Sequence, residues 1–492
     1  LIFSNFKMSI SSFIKKYLDG KSLKARVMKG GFWLGLGSGA EQGLRFIRNI
    51  ILVRILAPEA FGLMAIILAV NAAFESFTQI GIKEAIIQNP RGEESTYLNG
   101  AWFMSFGRSI LLFIGGIVSS YWITDFYEIP QHTFLIQASF VAIVLNGSIS
   151  VGAYIALKQM NYKKWVLITH GGGLFGILTA IGLSFVLQNV WALVIGYLTE
   201  ALMRNILSYI VCPHIPKYRF EKEHIHSLLQ YARGMFGLPI LFFIYAQMDI
   251  FVVGKLYSKT ELGLYSMVVT LAQAPAVIIT SLVNPILMPV FSQKQNDKQW
   301  INIAIIKAIK IIMTIGMPLV LFAAFYGRDL LAVIYGSTYA VMAVPFVVHL
   351  ATTIMRSASV PITNVYFALG RPEQHRTFTG IRAILIVVLI YPAIKWLGFT
   401  GAALAVFLAT TIGLFFQVMR IRKLTGLDIT KFKNILFETL AFSLIVGLVW
   451  IATTFLPSST PEINIAQGLT GCVLGYGLII AFMIKKKVSL SK

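Results

Sequence analysis

Glu41, Arg45 and Arg48 stand at i, i+4 and i+7, so in a helix they share one face, flanked by Gln42 and Asn49. Two guanidinium groups on one face are unsuited to lipid tails or to an apolar core. They must line a hydrated cavity or meet polar partners. An arginine fork matches the oxygens of a phosphate or carboxylate, which makes this face a candidate anion site. The competing reading is an ion pair between Glu41 and Arg45 that fastens the helix to a neighbour.

Other ionisable residues interrupt apolar runs further along: Glu75, Arg108, Glu200, Arg204, Asp249, His349 and Arg356. Arg108 and Arg356 are candidates to assist Arg45 and Arg48 in holding an anion. Glu41, Glu75 and Asp249 are candidates for proton or sodium coupling, because a carboxyl removed from water can exchange a proton near neutral pH. Glu200 and Arg204, again i and i+4, read as a structural pair. His170 precedes Gly171, Gly172 and Gly173 and reads as a packing site before a proton relay. Arg233 and Arg382 fall near expected helix ends, where snorkelling to water accounts for them.

No Walker A motif, GxSxG, HExxH or paired-cysteine metal spacing occurs, so neither an enzyme nor a resident cofactor or metal is expected. The two cysteines, Cys212 and Cys472, fall in different apolar runs and suggest no disulfide framework.

These residues need a scaffold, and composition says which kind. The chain is 57% hydrophobic and 13% charged, with a mean hydropathy of +0.76, against about 25% charged in soluble domains. Apolar runs near 20 residues recur with short polar breaks, the pattern of serial membrane helices. Expected spans cover 29–56, 62–88, 98–124, 133–157, 165–187, 190–211, 228–256, 262–290, 303–326, 340–368, 378–397, 399–419, 434–456 and 463–484, about fourteen in all. The first 28 residues carry six Lys or Arg and no apolar core before Gly31, so no cleavable signal peptide is expected.

The net charge of +22 could suggest nucleic acid, but the basic residues sit at the ends of apolar runs. Alternate connections carry Arg91; Lys158, Lys163 and Lys164; Lys217, Arg219 and Lys222; Lys294 and Lys298; Arg371 and Arg376; Arg420, Arg422, Lys423, Lys431 and Lys433; and finally Lys485, Lys486, Lys487 and Lys492. The opposite connections carry Lys259 and Arg328. The positive-inside rule then puts both termini in the cytoplasm of a multi-pass protein of the cytoplasmic membrane, and no nucleic-acid partner is expected.

"ILVRILAPEAFGLMAIILAV" (51–70) aligns with "FVVGKLYSKTELGLYSMVVTL" (251–271) after a one-residue gap, placing Gly62 opposite Gly263. A repeat of about 200 residues with six spans per copy implies two parallel lobes. The expected organisation is a basic tail (1–28), a first lobe (29–211), a cytoplasmic linker (212–227), a second lobe (228–420), a cytoplasmic loop (421–433), two last spans (434–485) and a short tail (486–492). Prolines lie in loops in the first half. In the second half Pro239, Pro275, Pro285, Pro289, Pro318, Pro345, Pro361 and Pro392 fall in or beside spans, where kinks are expected.

The stretch "GFWLGLGSGAEQGLRFIRNIILVRILAPEAFGLMAIILAV…FTQIGIKEAIIQ" (31–88) resembles the opening of the polysaccharide-export flippases, the O-antigen and exopolysaccharide translocases of the multidrug/oligosaccharidyl-lipid/polysaccharide superfamily. "ALKQMNYKKW" (156–165) and "QMDIFVVGKLYSKTELGLYSMVVTLAQAP" (247–275) resemble later parts of the same family. The resemblance implies an all-α fold of two six-helix lobes around a central cavity with two extra helices. It also implies alternating access and a substrate of sugars on undecaprenyl diphosphate, among membrane lipids and beside a polysaccharide polymerase and export machinery. Arg48 with Asn49 resembles an Arg-Asp pair of the lipid II flippases, and Asp249 matches an acidic position there. The arginine those flippases carry in span eight is missing from "LYSMVVTLAQAP", which favours another lipid-linked oligosaccharide. Alternatives are a cation-coupled multidrug exporter of the same superfamily, a membrane-embedded polysaccharide polymerase or ligase, and a scaffold without transport.

Overall fold

A computed structural model describes residues 23–77, 81–219, 221–235, 237–293, 297–369, 371–428 and 460–471, and the single positions 430, 437 and 447. Every regular element among them is helical. Helix α1 spans Leu23–Ile55, α2 Pro58–Phe77, α3 Ile82–Gln88 and α4 Ser95–Phe126. A 3-10 turn at Pro130–His132 leads into α5 (Thr133–Ser139), α6 (Val141–Gly147) and α7 (Gly152–Lys158). Then come α8 (Tyr162–Leu187), α9 (Val190–Val211), α10 (Lys222–Met235) and α11 (Leu238–Leu256). The series ends with α12 (Lys259–Gln293), α13 (Lys298–Ile334), a 3-10 turn at Ser337–Met342, α14 (Ala343–Ala368) and α15 (Pro372–Thr425).

The boundaries follow local chemistry. Pro58 opens α2, where its missing N–H costs nothing. The Asn189 and Asp297 side chains accept from the N–H of Trp191 and of Trp300, capping α9 and α13. Gly426 closes α15 at φ 74, with its N–H on the Arg422 carbonyl. Inside α15, Gly398 at φ 59 and ψ −137 breaks the helix into two arms, a conformation that glycine alone adopts readily. Of the prolines expected in or beside spans, Pro275, Pro285 and Pro289 fall within α12, Pro318 within α13, Pro361 within α14 and Pro392 within α15.

Eight helices among the described residues are long and apolar enough to cross a bilayer, or nine if the series from Pro130 to Lys158, bent by 57°, is one span. Leu111, Val186, Ile311 and Val388 are among the large apolar side chains on the outside, as a lipid-facing surface requires. The chain is therefore an α-helical, multi-pass membrane protein. Of the last two expected spans, only positions 437 and 447 and a helical stretch over 461–471 lie within the described residues.

The chain divides into two compact units. The first comprises Leu1–Leu56, Leu63–Phe243 and Thr280–Pro289; the second comprises Ala57–Gly62, Ile244–Ile279 and Val290–Lys492. The first unit thus extends beyond the expected linker, and the bonding explains why. Ser150 Oγ donates to the Cys212 carbonyl at 2.6 Å, and Asn99 Nδ2 donates to the Arg219 carbonyl at 2.9 Å. Leu228 of α10 is buried in a core with Ile82, Ile86, Tyr97 and Val151. Segment 212–219 and α10 are part of the first unit's packing, not a free tether.

Candidate functional site

In the first unit, the charged face of α1 meets α8 and α9. Arg45 Nε donates to Glu41 Oε1 at 2.8 Å on its own helix, and Arg45 Nη2 donates to Glu200 Oε1 of α9 at 2.7 Å. The same Glu200 oxygen receives Arg204 Nη2 at 2.7 Å. At the other end His170 Nδ1 of α8 pairs closely with Glu41 Oε2. Five side chains from three helices thus form one chain: His170, Glu41, Arg45, Glu200, Arg204. The expected Glu200–Arg204 pair is present as part of this larger network, and so is the Glu41–Arg45 pair.

Glycines on α8 make room for it. A Cβ on Gly173 would stand 2.7 Å from Glu41 Oε1, one on Gly172 2.9 Å from Arg204 Cβ, and one on Gly176 2.6 Å from Glu200 Cβ. On α1, a Cβ on Gly37 would meet the His170 ring at 2.8 Å. The His-Gly-Gly-Gly run is therefore the floor of the ion network, and His170 is a member of it as well as a packing residue.

Arg48 Nε and Nη2 both donate to Asn49 Oδ1, at 3.1 and 2.9 Å. Arg108 Nη1 of α4 donates to the backbone carbonyl of Glu75 in α2 at 3.3 Å. Arg108 and Arg204 both act electrostatically on the Glu75 carboxyl, which links this pair to the five-residue network.

The second unit holds Asp249 and Arg356. Asp249 on α11 is 5% exposed, and the Tyr265 hydroxyl of α12 lies 3.2 Å from its Oδ2. The same hydroxyl lies 2.7 Å from His349 Nε2 of α14, and His349 Nε2 is 3.8 Å from Asp249 Oδ2. Sequence reasoning missed Tyr265, because a tyrosine within an apolar run is ordinary packing until its hydroxyl is seen between two titratable groups. Arg356 Nη2 donates to the Tyr245 carbonyl at 3.2 Å, and its guanidinium lies over the Tyr245 ring, 4.2 Å from the centroid.

Arg382 corrects an expectation. Its position near a helix end predicts a head that snorkels to water, yet it is 4% exposed. Helix α14 and the second arm of α15 enclose it: its Nη2 donates to Gln417 Oε1 at 3.1 Å, and Gln417 Nε2 donates to Thr363 Oγ1 at 2.9 Å.

Residues 51–344 match the family described as polysaccharide biosynthesis protein. The chain belongs to that family. Within it and around it the relatives are distant. A membrane protein in the cps region of Klebsiella pneumoniae is 22% identical over 80% of this chain and 81% of its own length. The lipopolysaccharide biosynthesis protein WzxC of Escherichia coli is 20% identical over 80% of each chain. The succinoglycan biosynthesis transport protein ExoT of Rhizobium meliloti is 23% identical over 63% of this chain and 62% of its own. Among solved structures, the lipid II flippase MurJ in an inward closed conformation superposes with a TM-score of 0.74 at 14% identity, covering 92% of this chain and 99% of that one. An inward-facing multidrug MATE transporter gives 0.59 at 14% identity, covering 78% and 96%. This family member therefore has the fold that those transporters share.

Proposed function

We propose that this chain is a flippase for a lipid-linked oligosaccharide: a sugar repeat unit on undecaprenyl diphosphate, bound for O-antigen, capsule or exopolysaccharide. It accepts the headgroup at the cytoplasmic side of the cytoplasmic membrane and presents it outside by alternating access, while the lipid tail stays in the bilayer. Both termini are cytoplasmic. It acts as a transporter rather than an enzyme, and polymerase and export machinery take its product.

The observation that carries this reading is the set of arginines that the first unit places among its membrane helices. Arg45 and Arg204 join Glu41, Glu200 and His170 in one network, Arg48 holds Asn49, and Arg108 reaches the Glu75 carbonyl. Guanidinium groups among membrane helices are costly unless anions or water reach them. A diphosphate headgroup is such an anion, and the family match and the transporter fold support the same choice. Arg45 bridges Glu41 and Glu200 and so positions α1; Arg48 and Arg108 are the headgroup candidates of the first unit, and Arg356 is a separate candidate in the second. Glu41 with His170, Glu75, and Asp249 with His349 are the groups that could exchange an ion.

Reconstitution tests the reading. In proteoliposomes holding a defined undecaprenyl-diphosphate oligosaccharide, the protein should expose the sugar to an added sugar-modifying enzyme. A protein that leaves the sugar sequestered but expels organic cations is instead the drug exporter.

A further inference from the structure

Arg356 and Arg382 share one aromatic ring. The Arg356 guanidinium carbon is 4.2 Å from the Tyr245 centroid and that of Arg382 is 5.5 Å from it. Both Nε atoms are buried and meet no acceptor. Neither guanidinium has a carboxylate within 4.0 Å among the described residues. Asp249, one helical turn from Tyr245 on α11, is bonded to Tyr265 and lies beside His349. What the two cations do have is neutral: the Tyr245 carbonyl and ring for Arg356, and Gln417 Oε1 and the same ring for Arg382.

This arrangement is built and is not an accident of a loose side chain. Gln417 is fully buried and held by Thr363, and Tyr366 donates to its carbonyl. Gly413, one turn earlier, leaves the channel in which Arg382 lies: a Cβ there would be 2.5 Å from its Cγ and Nε. His375, which interacts electrostatically with Arg382, adds a buried Nδ1 without a partner. Arg382 is buried and Arg356 partly so; like charges brought together there repel, and an aromatic face offsets only part of the cost of desolvating them. A polyanion removes the imbalance, and the planar forks match phosphate oxygens in pairs.

We propose that Arg356 and Arg382 form a phosphate-binding site in the second unit, with Tyr245 as its aromatic wall. The nature of the lipid carrying that phosphate rests on the flippase reading above; the site itself does not.

The test uses the full-length protein in nanodiscs of phosphatidylcholine. Undecaprenyl diphosphate and inorganic pyrophosphate are the two probes, with affinity read by native mass spectrometry. Arg382→Gln and Arg356→Gln should each weaken undecaprenyl diphosphate binding by about tenfold or more, as loss of a charge-assisted fork implies. Inorganic pyrophosphate bound equally well, and lost in the same variants, keeps the site and assigns it to a soluble ligand. Wild-type affinity for both probes in both variants overturns it. Should a variant misfold, phenylglyoxal labelling of the wild-type protein decides. Pyrophosphate or undecaprenyl diphosphate should slow modification of Arg356 and Arg382 at least severalfold, and unchanged labelling rejects the site. Transport is read separately: binding lost in the variants, in a protein that moves no lipid-linked sugar, defeats the flippase reading and leaves this site standing.

Discussion

Gly62 and Gly263, opposite each other in the alignment of 51–70 with 251–271, pack reciprocally in the second unit. A Cβ on Gly62 would lie 1.8 Å from the Lys259 carbonyl oxygen, and a Cβ on Gly263 would lie 1.8 Å from the Pro58 carbonyl oxygen. Pro58 and Lys259 are the first residues of α2 and α12, so the two helix starts cross backbone to backbone. A side chain at either position would part the two helix starts, so glycine is required at both. The contact also explains why Ala57–Gly62 clusters with the second unit although α2 continues into the first.

Because the contact is reciprocal, Gly62→Ala and Gly263→Ala should destabilise the purified protein to a similar degree, by about 1–3 kcal/mol each as an overpacked site would. The double variant should cost less than the two together, since the first substitution already separates the helices. Thermal unfolding in detergent reads this. Loss of stability in one variant alone would show that the contact is not symmetric.

The Arg45 network makes a different demand. Removing one charge of a partly buried ion chain leaves its partner uncompensated. Arg45→Met should therefore cost about 1–3 kcal/mol, below the fully buried range because the Arg45 side chain is 28% exposed. Glu41→Gln in the Arg45→Met background should restore part of that loss. A double-variant cycle with no coupling energy would place the two side chains apart in the membrane.

How much of this was legible beforehand depended on range. Apolar runs dictated helices, because the bilayer leaves backbone groups few other ways to bond. The i, i+4 pairs Glu41–Arg45 and Glu200–Arg204 were legible because helical geometry alone brings them together. That both pairs meet through Arg45 and Glu200 was not, since it depends on how α1 and α9 are rotated against α8. The glycine run after His170 hinted at close approach without naming the approaching helix. Arg382 was misplaced because its position near a helix end suggested water, whereas Gly413 and Gln417, more than thirty residues later, create its pocket.

Gly173 offers a check on the network that leaves every charge in place. Gly173→Leu would drive a side chain into the Glu41 carboxylate. The substitution should lower translocation of a lipid-linked sugar by about tenfold or more, since misplacing a binding group by an ångström is enough for such a loss. Gly182, whose Cβ would meet nothing within 4 Å, is the control on the same helix. Equal transport by the two variants would remove the network from the translocation path.

Asp249, Tyr265 and His349 can hold one proton in two complete hydrogen-bonding arrangements. In one, a neutral Asp249 donates to the Tyr265 oxygen and the hydroxyl donates to His349 Nε2. In the other, His349 donates from Nε2, and the hydroxyl donates to an ionised Asp249. The proton moves between carboxyl and imidazole by passing through one hydroxyl, with no bond left unmade in either state. Tyr265→Phe removes the only oxygen of the bridge and keeps the ring that packs near Phe399. In liposomes containing pyranine, this variant should still flip lipid-linked sugar while losing sugar-dependent proton movement, whereas Asp249→Asn and His349→Gln should lose both the proton movement and its pH dependence. If Tyr265→Phe moves protons as the wild-type protein does, the triad is a packing device and the coupling group lies elsewhere, with Glu41 and His170 the next pair to examine.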